Sequence, residues 1–270
     1  MNVNEAIRAD AGRLLSEGRA RMVIGYRLLG GRGLPIFLTD PAQAAALYYG
    51  PECELNLAAY LRKPEVRQQA PLAVVAAPAA MRSLVVLASE SQVPDGSVLV
   101  LAVGPQEYHG VMDIPAAAQL LRTKYPALAP DEKLVQRVRE LTAMSPAERA
   151  AFWREQFAKC TRCYACRAAC PGCYCQRCLV EKNMPQWVST AAAAHGNYAW
   201  HVLRAFHQAG RCVLCGACQA ACPQGIPLML LNLTVDQAVE EEFHTKAGAD
   251  PAGKPVLGTW RPDDKDDFIR

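Results

Sequence analysis

Cys160-Thr-Arg-Cys163-Tyr-Ala-Cys166-Arg-Ala-Ala-Cys170-Pro171 is followed, after an interval, by Cys212-Val-Leu-Cys215-Gly-Ala-Cys218-Gln-Ala-Ala-Cys222-Pro223. Both runs have the spacing C-x2-C-x2-C-x3-C-P, the ligand pattern of bacterial-type 4Fe-4S sites. Three thiolates two residues apart on a tight loop can wrap three corners of one cubane, and the fourth corner must come from elsewhere. In two-cluster arrangements the cysteine before the proline serves the other cluster. That rule groups Cys160, Cys163, Cys166 and Cys222 around one cluster, and Cys212, Cys215, Cys218 and Cys170 around the second. Zinc sites draw on two cysteine pairs rather than two quartets, and dense disulfides belong to small secreted chains.

Of the 12 cysteines in 270 residues, all but Cys53 lie between positions 160 and 222. The uneven distribution divides the chain into an ordinary globular part and a cluster module. A net charge of +3 is too small to argue for nucleic acid. Arg8, Arg13, Arg19, Arg21, Arg27 and Arg32 are interleaved with aliphatic residues, as on a solvated face, and aromatic interleaving of the single-strand-binding kind is absent. Met1 to Ser16 carries charges throughout, so no signal peptide is expected. No apolar run approaches the roughly 18 to 20 residues that span a bilayer, so membrane insertion is not expected. Thiols kept for metal suit a reducing, cytoplasmic compartment.

Ahead of the cysteines, Ala6, Ile7, Ala11, Leu14 and Leu15 predict a helix over 4–18 that stops at Gly18. Arg21 to Leu29 and Pro35 to Thr39 read as strands joined through Gly30-Gly31-Arg32-Gly33. That stretch lacks the spacing of a phosphate-binding fingerprint and is read as a hairpin turn. Asp40-Pro41 starts a helix over 42–49, and a further helix is expected over Glu52 to Arg62, carrying Cys53. Leu72 to Ala77 and Ser97 to Val103 are continuous apolar runs of the kind buried on both faces of a parallel sheet. A helix over Ala79 to Ser89 between them makes a right-handed crossover unit. Residues 1–115 are thus expected to form a small α/β domain.

Residues 116–144 read as a helical linker, with Leu134, Val135, Val138 and Leu141 on one face of its second helix. Ser145-Pro146-Ala147-Glu148 is a capping box that launches a helix delivering Cys160. The spacer between the motifs shows Ala199, Val202, Leu203 and Phe206 at helical spacing, with Gly210 as stop. A last helix is expected from Pro227 to about Glu242. The cluster module is placed at 145–245 and an irregular tail at 246–270. His195, His201 and His207 are assigned surface or packing roles, and Trp187 and Trp200 to the module core.

The two cysteine runs, together with Cys173-Tyr-Cys175-Gln-Arg-Cys178 between them, resemble the iron-sulfur beta subunits of formate dehydrogenases and deazaflavin (coenzyme F420) hydrogenases, and of proteins working with heterodisulfide reductase-like complexes. Ile24-Gly-Tyr-Arg27 and Asn56-Leu-Ala-Ala-Tyr-Leu61 are similar to segments of the same family. The resemblance implies an α-helical dicluster ferredoxin fold beside the α/β domain. It also implies partners: a catalytic dehydrogenase or hydrogenase subunit, and a flavin-containing or heterodisulfide reductase-like one. The chain departs from the family where a Lys-Gly-Cys-Asp-type and a Val-Pro-Cys motif are often found. Those places read Ala76-Ala-Pro-Ala-Ala-Met-Arg82 and Val103-Gly-Pro-Gln106, without cysteine. The role those cysteines serve in relatives is therefore in doubt here.

Cys173, Cys175 and Cys178 are surplus to two clusters. With a fourth ligand they could hold a third 4Fe-4S cluster or a zinc ion. Cys53 folding back is one candidate for that ligand, and burial as a small core residue is the alternative. No nucleophile–base pair and no nicotinamide or flavin motif is visible, so the expectation is an electron-transfer subunit without activity of its own. Its rivals are a flavoprotein binding FAD or deazaflavin in the α/β domain, and an iron-sulfur sensor or assembly protein.

Overall fold

The computed structural model describes residues 2–126, 130–249, 253 and 256. Helix α1 (Val3–Ser16) opens on Asn2, whose side chain accepts from Asn4 while Glu5 reaches back to the Asn2 amide, a closed capping box. It ends before Gly18, at φ +67°. Strands β1 (Met22–Leu29) and β2 (Arg32–Leu38) form an antiparallel hairpin in register Leu29↔Arg32. Only Gly30 and Gly31 lie between them, at φ +58° and +72°. Two consecutive positive φ values define a type I′ turn, which only glycine enters without strain. β2 starts earlier than the expected Pro35.

The sheet order is β2-β1-β3-β4-β5, with β3 (Leu72–Ala76) and β4 (Val98–Val103) parallel to each other and β1 parallel to β3. Every residue of β3 is buried, as its unbroken apolar sequence requires of a central strand. Helix α3 (Pro78–Ser89) makes the expected crossover. Strand β5 (Tyr108–Met112) was not anticipated. It pairs antiparallel with β4 at the edge, and all five residues are half-buried, so no apolar alternation marks it.

Two expected helices are replaced by tighter turns. Pro41–Ala46 is a 3₁₀ segment capped by Asp40. Within Glu52 to Arg62 only Leu57–Tyr60 is helical, again 3₁₀, capped by Asn56. Leu57, Ala58 and Ala59 are all buried. Three successive buried side chains leave no solvent face, and a four-residue 3₁₀ turn fits into the core where an α-helix would not. Cys53 precedes this turn and lies on no helix. The short helix α2 (Pro64–Arg67) follows.

Helix α4 (Ile114–Lys124) belongs to the α/β core rather than to a linker. Ile114, Ala117, Ala118 and Leu121 are buried in the same cluster as Val74, Leu84 and Leu101, so that body extends past residue 115. Helices α5 (Glu132–Ala143) and α6 (Pro146–Ala158) follow, the latter with the Ser145/Glu148 capping box closed in both directions. α7 (Ala165–Ala168), α8 (Ala194–His207), α9 (Ala217–Ala220) and α10 (Leu228–Phe243) complete the helical part. Val138 and Leu141 of α5 pack on Leu230 and Leu233 of α10, as the sequence face predicts. The tail expected at 246–270 lies almost wholly outside the described residues.

Polar ties among the described residues join the two parts. Arg62 donates to the carbonyls of Arg167 (3.2 Å), Ala168 (3.0 Å) and Cys173. The Tyr174 hydroxyl donates to Glu90 at 2.8 Å, and Arg211 pairs with the same carboxylate at 2.5 Å. No helix among the described residues is long and apolar enough to cross a membrane.

Candidate metal centre

The two cysteine loops repeat each other in backbone as well as in sequence. Arg162 and Tyr164 flank Cys163 at φ +58° and +59°, while Leu214 and Gly216 flank Cys215 at +55° and +75°. Each loop then enters a single helical turn, α7 or α9, that carries its third cysteine. Three of these four left-handed positions are not glycine. Such residues cost of order 1 kcal/mol or more each and persist where function fixes the backbone. The curl turns amides toward sulfur: the Arg162 amide donates to Cys160 Sγ at 3.4 Å, and those of Leu214 and Ala217 reach Cys212 and Cys215.

The fold brings the first three cysteines of one motif beside the fourth of the other. Burial raises the Cys160 thiol, and Cys163 and Cys222 are close enough to raise it further. Cys166 is raised by burial and feels Cys160 and Cys222. Burial likewise pushes Cys212 well up, with contributions from Cys170, Cys218 and Cys215. Cys218 is pushed up to about 11 by burial, with Cys170 and Cys215 adding to it. One cavity is lined by Cys170, Cys212, Cys215 and Cys218 together.

Helix α8 supplies what surrounds these thiols, from a face the sequence did not mark. Phe206 of the expected apolar stripe is 61% exposed, and the buried side chains are Asn197, Trp200, His201 and Arg204, followed by Gln208. Asn197 donates to the Cys160 carbonyl at 2.8 Å, and Arg204 to that of Cys166 at 3.2 Å. Arg162 is held by the carbonyls of Gly196 and Ser189 and lies over the rings of Tyr164 and Trp200. His201 is buried, stacked on Phe157. Trp200 is core as expected. Trp187 is not: it is 64% exposed on the loop before α8. From the α/β part, Asn56 reaches Cys215, and from α10 Asn232 donates to Cys218 Sγ at 3.4 Å.

Of the surplus cysteines, Cys173 lies near Cys170, close enough that each shifts the other, Cys170 downward and Cys173 upward. Gln208 lies against both, 3.6 Å from Cys170 Sγ and 3.5 Å from Cys173 Sγ. Cys175 is exposed and Cys178 half-buried. Cys53 stands apart: it packs on the α/β core with its thiol 3.9 Å from the Tyr48 carbonyl. No hydrogen bond among the described residues joins it to Cys173, Cys175 or Cys178.

The chemistry of these residues fits iron-sulfur clusters. Buried thiols that resist ionisation alone are deprotonated outright on coordination. Amide, asparagine and arginine donors then stabilise the anionic sulfurs. From Arg154 to Pro227 the sequence holds just two carboxylates, Glu155 and Glu181.

Residues 159–227 match the 4Fe-4S dicluster domain family. Its relatives are more particular. It is 27% identical over 110 residues to the F420-dependent formate dehydrogenase subunit beta of Methanocaldococcus jannaschii, a match covering 40% of this chain and 28% of that protein. It is 31% identical over 106 residues to the F420-dependent formate dehydrogenase 1 subunit beta of Methanococcus maripaludis, covering 39% and 27%. The matches thus span little more than a quarter of either relative.

Proposed function

We propose that this chain is an electron-transfer subunit, relaying single electrons through two 4Fe-4S clusters. Cys160, Cys163, Cys166 and Cys222 hold one cluster, and Cys212, Cys215, Cys218 and Cys170 hold the other. The observation supporting this reading is the position of the fourth cysteines: Cys222 is near enough to act on the thiols of Cys160 and Cys166, and Cys170 lines one cavity with Cys212, Cys215 and Cys218. Clusters that share motifs are neighbours, and thiolate-ligated cubanes exchange one electron at a time. The helical frame agrees with the α-helical dicluster ferredoxin fold that the resemblance implies.

The chain's own residues hold the sulfurs, exclude water and place positive charge. Arg162 and Arg204 lie buried beside the two cysteine sets, where a cationic field favours the more negative, reduced state. The partners are a catalytic dehydrogenase subunit of the formate dehydrogenase kind and a flavin-containing or heterodisulfide reductase-like subunit. The names of the relatives support the first, and the family resemblance supports the second. The work is placed in the cytoplasm, where thiols stay reduced.

The test is anaerobic reconstitution followed by an EPR-monitored redox titration. Two interacting one-electron centres are expected, together with co-purification of a dehydrogenase. A reconstituted chain that binds stoichiometric zinc and shows no reducible centre would refute the proposal.

A further inference from the structure

The surplus cysteines do not lie scattered over the surface. Cys173, Cys175 and Cys178 line a second cavity, which shares Gly172, Arg204, Gln208 and Arg211 with the cavity of the Cys212 set. The other ligand-type side chain on its wall is His207. The loop that carries the three thiols is held rigidly. Arg62 grips the Cys173 carbonyl, Tyr174 is bonded to Glu90, and Arg167 donates to the Cys175 carbonyl at 2.8 Å while pairing with Glu181. Loops are fixed this firmly where side chains must be preorganised for a ligand.

We propose that Cys173, Cys175, Cys178 and His207 hold a third 4Fe-4S cluster, which carries electrons from the Cys212 cluster to the surface at Cys175. The inference rests on the two-cluster reading above and extends it. Two features argue for it. The cavity is lined by three thiols and one imidazole, four ligand-type side chains for the four irons of one cubane. Arg204 and Arg211 border both cavities, and Arg167 adds a further cation, as an anionic cluster requires.

The position gives the site its use. Gln208 lies 3.6 Å from Cys170 Sγ and 3.5 Å from Cys173 Sγ, so a cluster held by each would have ligand sulfurs on either side of one side chain. Cys175 is exposed, which makes this the edge where electrons could leave the chain. Cys53 packs on the α/β core and lines neither cavity.

The full chain is reconstituted anaerobically with iron and sulfide, and metals and sulfide are counted. About twelve irons per chain are expected in the wild type and about eight in Cys175→Ser, whose exposed position spares the fold. The Cys173→Ser/Cys175→Ser/Cys178→Ser variant should also hold about eight, with the EPR signals of the two core clusters intact. His207→Ala should leave an oxidised three-iron EPR signal, and His207→Cys should restore the four-iron form. About eight irons in the wild type, with or without one zinc, overturns the third cluster and leaves the two-cluster reading standing. Fewer than eight overturns both. An unchanged spectrum in His207→Ala overturns the imidazole ligand.

Discussion

The guanidinium of Arg204 donates to the carbonyl of Cys166 at 3.2 Å from the buried face of α8, 4% exposed, and none of the largest influences on its charge among the described residues is a carboxylate. Cys173, Cys170, Cys218 and Cys166 are the groups whose charge it feels. A buried cation without an acidic partner is costly unless something anionic faces it, and here that role falls to cysteine sulfur from both motifs. Arg204→Gln should therefore lower the reduction potentials of the core clusters by about 100 mV, the order expected for removing one charge at this range with an effective dielectric near 20. Arg204→Lys should retain most of the potential. Potentials that stay put in Arg204→Gln would mean that the charge acts only on the fold.

The exchange of fourth cysteines makes an asymmetric prediction. Cys170→Ser should abolish or distort the cluster held by Cys212, Cys215 and Cys218 while leaving the Cys160 cluster intact, and Cys222→Ser should do the reverse. Mössbauer or EPR spectra of the two variants distinguish the centres. Loss of the Cys160 cluster in Cys170→Ser would show that each motif closes on its own cysteine.

The cysteine spacing, the hairpin at Gly30-Gly31, the crossover through α3 and the capping boxes at Asn2 and Ser145 rest on short-range chemistry, and all but the Asn2 box could be read directly from the sequence. The inner face of α8 was hidden for a physical reason. Helical periodicity marks the apolar side as the buried one, but this helix faces the polar backbone of the cysteine loops, so its buried side carries Asn197, His201 and Arg204. The run of polar residues at i, i+4 and i+7 was the available signal. Strand β5 and helix α4 were missed or misplaced because their burial comes from sheet-edge pairing and docking on α3, which no local pattern encodes.

His201 should make stability depend on acid. Burial, with Arg204 and Arg162 nearby, holds its imidazole down from 6.5 to about 3. Between those values the unfolded chain binds a proton that the folded chain refuses, so this residue's contribution falls as pH drops below about 6.5. Neither ring nitrogen has a hydrogen-bond partner among the described residues. His201→Phe keeps the stack on Phe157 and removes both defects. The variant should lose a slope of order 1 kcal/mol per pH unit below about pH 6 in denaturant midpoints, relative to wild type. Asp236, raised to about 6 chiefly by burial, has the opposite sign and cancels in that difference. Parallel pH profiles for the two proteins would contradict the assignment.

Arg62 is one of the residues through which the α/β part holds the cluster loop. Its carbonyl partners across the boundary, on Arg167, Ala168 and Cys173, each lose a charged donor if it is removed. Arg62→Ala should cost about 2–4 kcal/mol, the range for breaking a half-buried charged network. Hydrogen exchange should speed up at residues 167–175 before anywhere in the sheet. Uniform loss of protection throughout the chain would show that Arg62 supports global folding instead.

Removal of iron should unfold the chain from one side. The α/β core is one continuous cluster in which Leu14, Ile24, Val74, Leu84 and Leu101 are fully buried, each contributing about 1.5–3 kcal/mol. The helical part has two far smaller clusters, centred on Phe157 with Trp200 and on Val138 with Leu233. Apolar burial of that size does not offset the entropy of ordering long loops such as 169–193, whereas ligation ties those loops at several points. Anaerobic chelation should therefore collapse protection across 160–222 while amides of β1, β3 and β4 remain slow to exchange. Retention of both regions in the iron-free protein would place the folding energy of the cluster half in its helices, and loss of both together would make the sheet depend on the clusters.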